Sequence, residues 1–147
     1  MDIQIFVGVD CDEQQMIVGF VGSQGILRSL SRTSSPLRDS PDRFGQRLAG
    51  MVRGLRGELN LRMRNFRAIG IGVPRTCSPE TRQDIERQIK PLLEIPIYLD
   101  DREVLSEQGK AWMMLVEDMA MPRERPKDRD LTVVYGAAKL ALDHTAK

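Results

Sequence analysis

The sequence predicts an α/β fold, a mixed five-stranded sheet with helices on both faces. Two apolar runs and a turn open the chain as a three-strand meander, two further strands then alternate with helices, and a final helix closes it. A meander followed by strand–helix units places antiparallel and parallel pairs in one sheet. The predicted order is β-β-β-α-β-α-β-α-α, and 147 residues suit a single domain over 1–147.

Five segments have strand character. The first is apolar apart from Gln4, as expected of a central strand buried on both faces. The turn "SQG" joins the second and third strands, and the fourth ends at Pro74. The predicted strands cover 3–9, 16–22, 26–32, 66–74 and 95–99.

Serine–proline pairs mark two helix starts, because serine caps a helix and proline suits its first position. Ser40-Pro41 predicts a helix whose apolar face runs from Phe44 to Leu59, after a polar loop in "RTSSPLRDSPDR". Ser78-Pro79 predicts a second helix to about Leu93, with Pro91 distorting its last turn. The remaining predictions are a helix over 103–117, a charged loop over 121–130 and a final helix from about 130 to 146.

Composition excludes several function classes. The 22 basic and 21 acidic residues leave no net charge that would require nucleic acid or a membrane as partner. His144 is the only histidine and the two cysteines lack C-x-x-C spacing, which argues against a zinc site or a histidine-based triad. No basic leader or apolar run of about 18 residues occurs, so we expect a soluble cytoplasmic protein without a membrane segment.

Carboxylates stand where two predicted strands end. Asp10 lies at the carboxyl end of the first strand, and the fifth strand ends at Asp100 and Asp101. Ligands of open α/β sheets bind beyond the carboxyl ends of the strands, so these acids are expected to converge at one rim. Such oxygen ligands suit Mg²⁺ or Mn²⁺. The competing interpretation is that Asp10 and Asp100 are helix caps or turn residues.

Four segments, taken together, resemble the ribonuclease H-like superfamily, and within it the YqgF (RuvX) branch of Holliday-junction resolvase-like nucleases. They are "VGVD", "AIGIGVP", "TRQDIERQIKPLLEIPIYLDDREVLSEQGKA" and "VVYGAAKLAL", collinear over nearly the family's length. The resemblance implies a metal-dependent phosphodiester hydrolase acting on Holliday junctions or precursor ribosomal RNA, with two divalent ions orienting water and stabilising the leaving oxygen.

The resemblance also implies site residues. Asp10 matches the first-strand catalytic acid, and Asp101 matches the glutamate of the family's Asp-Glu-Arg, flanked by Asp100 and Arg102. The family's terminal-helix aspartate is Val134 here, which cannot ligate a metal. A bulkier, more acidic turn, "CDEQQ", and the shorter Asp101 are further departures. The expected activity is therefore weakened or lost.

One residue could replace the missing terminal-helix acid. Asp130 lies one helical turn before Val134 and on the same face. The implied catalytic set is Asp10, Asp101 and Asp130, and the implied metal ligands are Asp10, Asp100 and Asp101.

Arginine supplies 17 of the 22 basic residues, and its planar fork binds phosphate oxygens in pairs. Residues 42–67 hold seven arginines, which form either a solvated helix face or a phosphate-binding surface. The candidates for binding branched DNA or structured RNA are Arg43, Arg47, Arg53, Arg56 and Arg102.

Two other function classes stay open. The first strands and "AIGIGVP" also resemble the N-terminal lobe of ROK-type sugar kinases, and "VVYGAAKLA" the final helix of actin-like ATPases. Those proteins close two lobes around ATP, so this chain would be one lobe pairing with another chain, and its turn lacks the glycines of their phosphate loop. The last class is a non-catalytic binding module, as a homodimer or with a protein partner, for which Trp112, Met113 and Met114 offer core or partner contacts.

Overall fold

The computed structural model describes residues 3–119 and 131–145 of the 147-residue chain. Its strands are β1 (Ile5–Cys11), β2 (Gln15–Gly22), β3 (Leu27–Ser34), β4 (Phe66–Val73) and β5 (Ile97–Asp101). Its helices are α1 (Pro36–Asp39), α2 (Phe44–Glu58), α3 (Pro79–Leu93), α4 (Arg102–Met119) and α5 (Thr132–Thr145), with 3-10 turns at Pro41–Arg43 and Met63–Asn65. No helix in the described ranges is long and apolar enough to cross a membrane.

The sheet has the strand order β3-β2-β1-β4-β5. The first three strands pair antiparallel, whereas β1–β4 and β4–β5 pair parallel. This mixed sheet, with β1 at its centre and β5 beyond β4, confirms the predicted class and order. The carboxyl ends of β1, β4 and β5 consequently lie at one edge of the sheet, which we call the carboxyl rim.

Side-chain alternation divides the core into two layers. Odd-numbered residues of β1, such as Val7, join the cluster that contains Leu48 of α2 and Ile85 of α3. Phe6 belongs instead to the cluster beneath α5. The same alternation decides which face of the sheet each carboxylate of the rim reaches.

Helix α5 lies directly on the sheet because glycines leave room for its backbone. A Cβ at Gly8 would lie 2.0 Å from the carbonyl oxygen of Val134, and one at Gly70 would lie 1.8 Å from that of Ala137. Ala137 and Ala138 are fully buried. The alanine pair of the terminal helix therefore packs on the sheet.

The segment predicted as a polar loop contains a helix. Ser35 caps α1 by accepting a hydrogen bond from the backbone N–H of Leu37 at 3.2 Å, whereas Ser40 makes no side-chain cap. The Ser-Pro signature occurs twice here, and the first copy is the one whose serine is buried, with its hydroxyl donating to the carbonyl of Asp12 at 2.6 Å. The prediction that Ser40 caps the long helix was wrong, since α2 begins at Phe44.

The prediction that the fifth strand ends at the two acids is confirmed. Asp100 and Asp101 are its last two residues, because they continue the parallel pairing with Gly72 and Val73 of β4. The predicted helix start at Ser78-Pro79 is confirmed, with Ser78 accepting a hydrogen bond from the N–H of Thr81. The predicted loop over 121–130 lies outside the described residues.

Candidate functional site

The carboxyl rim brings Asp10 and Asp100 to the same level and the same face of the sheet. Asp10 is in register with Gly72, and Gly72 with Asp100, so the two acids are two strands apart. Two strand spacings separate their Cα atoms by about 10 Å. Of the predicted acids in the described residues, Asp10 and Asp100 share this face, toward α4 and α5.

Asp101 points to the opposite face, because side chains alternate along a strand. Its carboxylate accepts a hydrogen bond from Arg82 of α3 at 2.5 Å and lies 3.7 Å from the guanidinium of Arg75. The alternation of Ile97 and Leu99, which pack on the α2–α3 side, already assigns Asp101 to that side. Asp101 therefore lies at the same rim as Asp10 but reaches the other face of the sheet.

Asp10 forms an ion pair with Arg102, the first residue of α4. Its Nε donates to Oδ1 of Asp10 at 2.5 Å and its Nη2 to Oδ2 at 3.3 Å, so the fork engages both carboxylate oxygens. Asp10 is 4% exposed. The hydrogen bond to Asp10 raises the pKa of the Arg102 guanidinium, which stays positively charged.

A cleft of about 420 Å³ opens in front of this ion pair. Within the described ranges, its charged lining consists of four carboxylates and one guanidinium: Asp10, Asp12, Glu103, Glu107 and Arg102. Thr132 and Val133 form the wall contributed by α5. The cleft is thus acidic, and a phosphodiester would be repelled there unless cations screened the carboxylates.

The position of α5 shows which of its residues faces Asp10, and this residue differs from the one expected. Val134 is fully buried, with its side chain against Gly19 in the middle of β2, while Val133 lines the cleft beside Asp10. A carboxylate reaching Asp10 from α5 would therefore come from position 133, and both positions hold valine. Asp130, the predicted substitute, lies outside the described residues.

The described residues do not fit the expected Mg²⁺ or Mn²⁺ centre. No group of three or more Asp, Glu, His or Cys side chains in ranges 3–119 and 131–145 could hold a metal ion. Asp10 is engaged by Arg102, and Asp100 accepts a hydrogen bond from the N–H of Asp101 at 2.7 Å. Within the described ranges, the acids of the carboxyl rim are thus engaged in ion pairs and hydrogen bonds.

The turn after β1 satisfies its own backbone. Oδ1 of Asp12 accepts hydrogen bonds from the N–H groups of Gln14 and Gln15 at 2.7 and 2.8 Å. Those amides are consequently occupied, and the turn has no glycine that would let a phosphate approach more closely. Cys11, beside Asp10, is buried on the other face, and burial raises the pKa of its thiol to about 12.

Three of the five arginines predicted to bind nucleic acid are used within the fold. Arg47 donates to Asp39 at 3.0 Å, Arg53 donates to the carbonyl of Leu92 at 3.1 Å, and Arg102 pairs with Asp10. Arg43 and Arg56 make no side-chain hydrogen bond or ion pair with any other described residue, and they lie at opposite ends of α2. The five do not form one surface.

Comparison with known proteins identifies the class of fold. Neither the protein-family models nor the curated proteins gave a match. Among solved structures, RuvC from Thermus thermophilus aligns over 97% of this chain and 98% of its own, with a TM-score of 0.52 and 12% identity. Its complex with a Holliday junction substrate aligns over 96% and 95%, with a TM-score of 0.52 and 11% identity. The fold is ribonuclease H-like.

A second group of solved structures shares the core. A ROK family transcriptional regulator, described as a homolog of the E. coli MLC protein, aligns with a TM-score of 0.57 and 10% identity over 73% of this chain. A sugar kinase from Cytophaga hutchinsonii, described as putative, aligns with a TM-score of 0.50 and 10% identity over 74%. The chain spans 30% and 39% of the lengths of these two proteins.

Proposed function

We propose that this protein is a divergent relative of the YqgF/RuvX branch that has lost phosphodiester cleavage and keeps its fold as a nucleic-acid-binding domain. The observation that carries the proposal is the two-point contact of Arg102 with Asp10. A guanidinium keeps its charge throughout the physiological pH range and competes with any cation for both oxygens of that carboxylate. Metal-assisted cleavage needs this first-strand acid as a ligand.

The other acids support the same proposal. Asp101 reaches the opposite face, where Arg82 binds it, and valine occupies the two α5 positions nearest β1 and the cleft. Two-metal cleavage requires carboxylates on both sides of the scissile phosphate, with the ions about 4 Å apart. Asp10 and Asp100, two strands apart, leave one side of such a site without a ligand among the described residues.

The proposal of nucleic acid as partner has separate support. Both RuvC structures align with nearly the whole of this chain, one of them in complex with a Holliday junction substrate. Arginine makes up 17 of the 22 basic residues, which favours phosphate recognition over general surface charge. Branched DNA and structured RNA are both ligands of the proposed class.

The test is a cleavage assay on four-way DNA junctions and structured RNA in Mn²⁺, comparing the wild type with Asp10→Asn and Asp101→Asn. We expect the three proteins to give the same background. Metal-dependent cleavage by the wild type that disappears in Asp10→Asn would overturn the proposed loss of catalysis. Asp101→Asn reports whether the acid on the opposite face takes any part.

A second candidate is a module that binds another protein chain. Met114 and Leu115, on successive positions of α4, are 66% and 60% exposed. Adjacent large apolar side chains of this exposure favour a protein contact. Sedimentation analysis of the wild type and of Met114→Glu with Leu115→Glu tests it: a wild-type dimer that the variant dissociates supports this candidate, and a monomer in both rejects self-association.

A further inference from the structure

The end of the sheet opposite the carboxyl rim carries a second cleft, and its charge is reversed. This cleft, of about 520 Å³, lies between the last turn of α2, the 3-10 turn at Met63–Asn65 and the last turn of α3. Its charged lining is three guanidinium groups and one carboxylate: Arg53, Arg56, Arg64 and Glu94. We call it the amino-end cleft.

The two clefts are far apart. Phe66, the first residue of β4, lines the amino-end cleft, whereas Asp10 is in register with Gly72 near the other end of that strand. Six residues of strand separate the two levels by roughly 20 Å. The described lining of the rim cleft is acidic and that of the amino-end cleft is basic, so the described residues place opposite charges at the two ends of the parallel strands.

We propose that the amino-end cleft binds the phosphodiester backbone of a nucleic acid. This deepens the proposed function, since it assigns nucleic-acid recognition to the end of the sheet remote from Asp10. Guanidinium groups bind phosphate through paired hydrogen bonds, and several of them along one surface suit a ligand with repeated phosphates.

The roles of the three lining arginines differ in a way that supports a ligand. Arg53 donates to the carbonyl of Leu92 at the end of α3, as expected of a cation that neutralises a helix C-terminus. Within the described residues, the side chains of Arg56 and Arg64 take part in no hydrogen bond or ion pair. Their donors are therefore available, while Arg53 fixes the distance between the two helices.

The basic surface extends beyond the cleft. Arg62 and Arg67 flank the segment 63–66 that forms one wall, and both are exposed. Five arginines thus lie on or beside this end of the sheet. A polyanion can contact all of them through several phosphates, whereas a single phosphate can contact only two or three. The exposed carboxylate of Glu94 opposes only part of this charge.

The experiment measures binding of short labelled single-stranded DNA, duplex DNA and RNA by fluorescence anisotropy over a salt series. The test variant is Arg56→Gln with Arg64→Gln, and the matched control removes the same charge elsewhere through Arg38→Gln with Arg87→Gln, two exposed arginines on α1 and α3. Thermal unfolding of both variants is expected to stay close to the wild type, because Arg56 and Arg64 have no polar side-chain partner within the described residues, and the two control arginines form only exposed ion pairs with Asp39 and Asp84.

The expected result is binding at least about tenfold weaker by the test variant, since one charge-assisted hydrogen bond to phosphate is worth about a factor of ten or more. The slope of log affinity against log salt should also fall by about 0.7 to 0.9 for each phosphate that the variant no longer neutralises. The control should bind like the wild type.

Four results would overturn the proposal. The first is that the wild type binds none of the three nucleic acids at low salt, and the second is that the test variant and the control lose the same affinity. The third is that inorganic phosphate competes as strongly as the oligonucleotide. The fourth is that the protein binds phosphatidylserine vesicles in place of nucleic acid. Failure of the proposed loss of catalysis is separate, because metal-dependent cleavage at Asp10 would appear in the cleavage assay whether or not the amino-end cleft binds the backbone.

Discussion

The guanidinium of Arg102 contacts both carboxylate oxygens of Asp10, joining the start of α4 to the end of β1 across β4. The two residues are 92 positions apart in the sequence and close in space because β5 ends level with β1. A fixed cation therefore lies against the acid on which a metal-dependent nuclease of this fold would depend.

Removing this cation is expected to destabilise the fold. Arg102→Met removes the guanidinium that contacts both oxygens of a carboxylate that is 4% exposed, and removing one partner of a buried ion pair is costly. The side chain of Arg102 is itself 29% exposed, so we expect a loss of about 1 to 3 kcal/mol in unfolding free energy. Urea unfolding measures it.

The matched control is a double-mutant cycle with Asp10→Asn. The double variant should recover part of the loss, because the buried charge is then absent as well. Single variants that differ from the wild type by less than about 0.5 kcal/mol would contradict the inferred coupling.

Acid should weaken a second ion-pair cluster. Hydrogen bonds from the Ser34 hydroxyl, and then from Arg47 and Arg38, lower the pKa of Asp39 from 3.8 to about 2. A depressed folded-state pKa stabilises the fold above about pH 4 and ceases to do so as the pH falls toward 2. We therefore expect Asp39→Asn to be less stable than the wild type at neutral pH and equal to it near pH 2.

The measurement for Asp39 is thermal unfolding of both proteins between neutral pH and pH 2. Asp143→Asn, which breaks a different surface pair with Lys139 and changes the net charge in the same direction, controls for general changes of net charge. A stability difference between Asp39→Asn and the wild type that stays constant across this pH range would contradict the assignment.

The contact between α5 and the sheet should not tolerate a methyl group. Gly70→Ala places a Cβ 1.8 Å from the carbonyl oxygen of Ala137, so the helix must shift from the sheet. Overpacking of this kind costs about 1 to 3 kcal/mol or more. Gly50→Ala is the control, because a Cβ added at this position of α2 would have no atom within 4 Å, and it should gain about 0.5 to 1 kcal/mol. Equal stability of the two variants by urea unfolding would count against this packing.

The fold could be predicted because its signals are local. The apolar runs around Val7 and Ile69, the Ser78-Pro79 helix start and the meander each specify an element, and strand–helix alternation then fixes the parallel pairs. Ser40 was misassigned because the same Ser-Pro signature occurs five residues earlier, and burial of Ser35 decided between them.

The site was predictable only in part. The strand order predicts that Asp10 and Asp100 lie at the same end of the sheet. The alternation of side chains after Leu99 predicts the face of the sheet that Asp101 reaches, but the resemblance to Asp-Glu-Arg obscured this. The pairing of Arg102 with Asp10 depends on where α4 begins relative to β1, a three-dimensional relationship without a local sequence signal. The reversed charge of the two clefts also requires the fold, because the arginines of residues 42–67 belong to different faces and ends of it.

The last prediction concerns metal binding at the carboxyl rim. The wild type should respond weakly to Mn²⁺ in calorimetric titration, because Arg102 occupies both oxygens of Asp10, and Asp10→Asn should abolish that response. Combining Arg102→Met with Val133→Asp removes the guanidinium from the first-strand acid and adds a carboxylate on the α5 wall of the same cleft. Two carboxylates that share a cleft suit Mn²⁺, which prefers oxygen ligands, so this variant should give a saturable heat.

The matched control for that variant places the new acid one residue later. Arg102→Met with Val134→Asp buries a carboxylate against Gly19, away from the cleft, and should gain no Mn²⁺ binding while losing stability. Adding Asp10→Asn to the Val133 variant should remove the gained heat. Strong binding of Mn²⁺ by the wild type would show that Arg102 does not govern access to Asp10. Equal gains of Mn²⁺ binding from the acids at positions 133 and 134 would show that α5 approaches the rim differently.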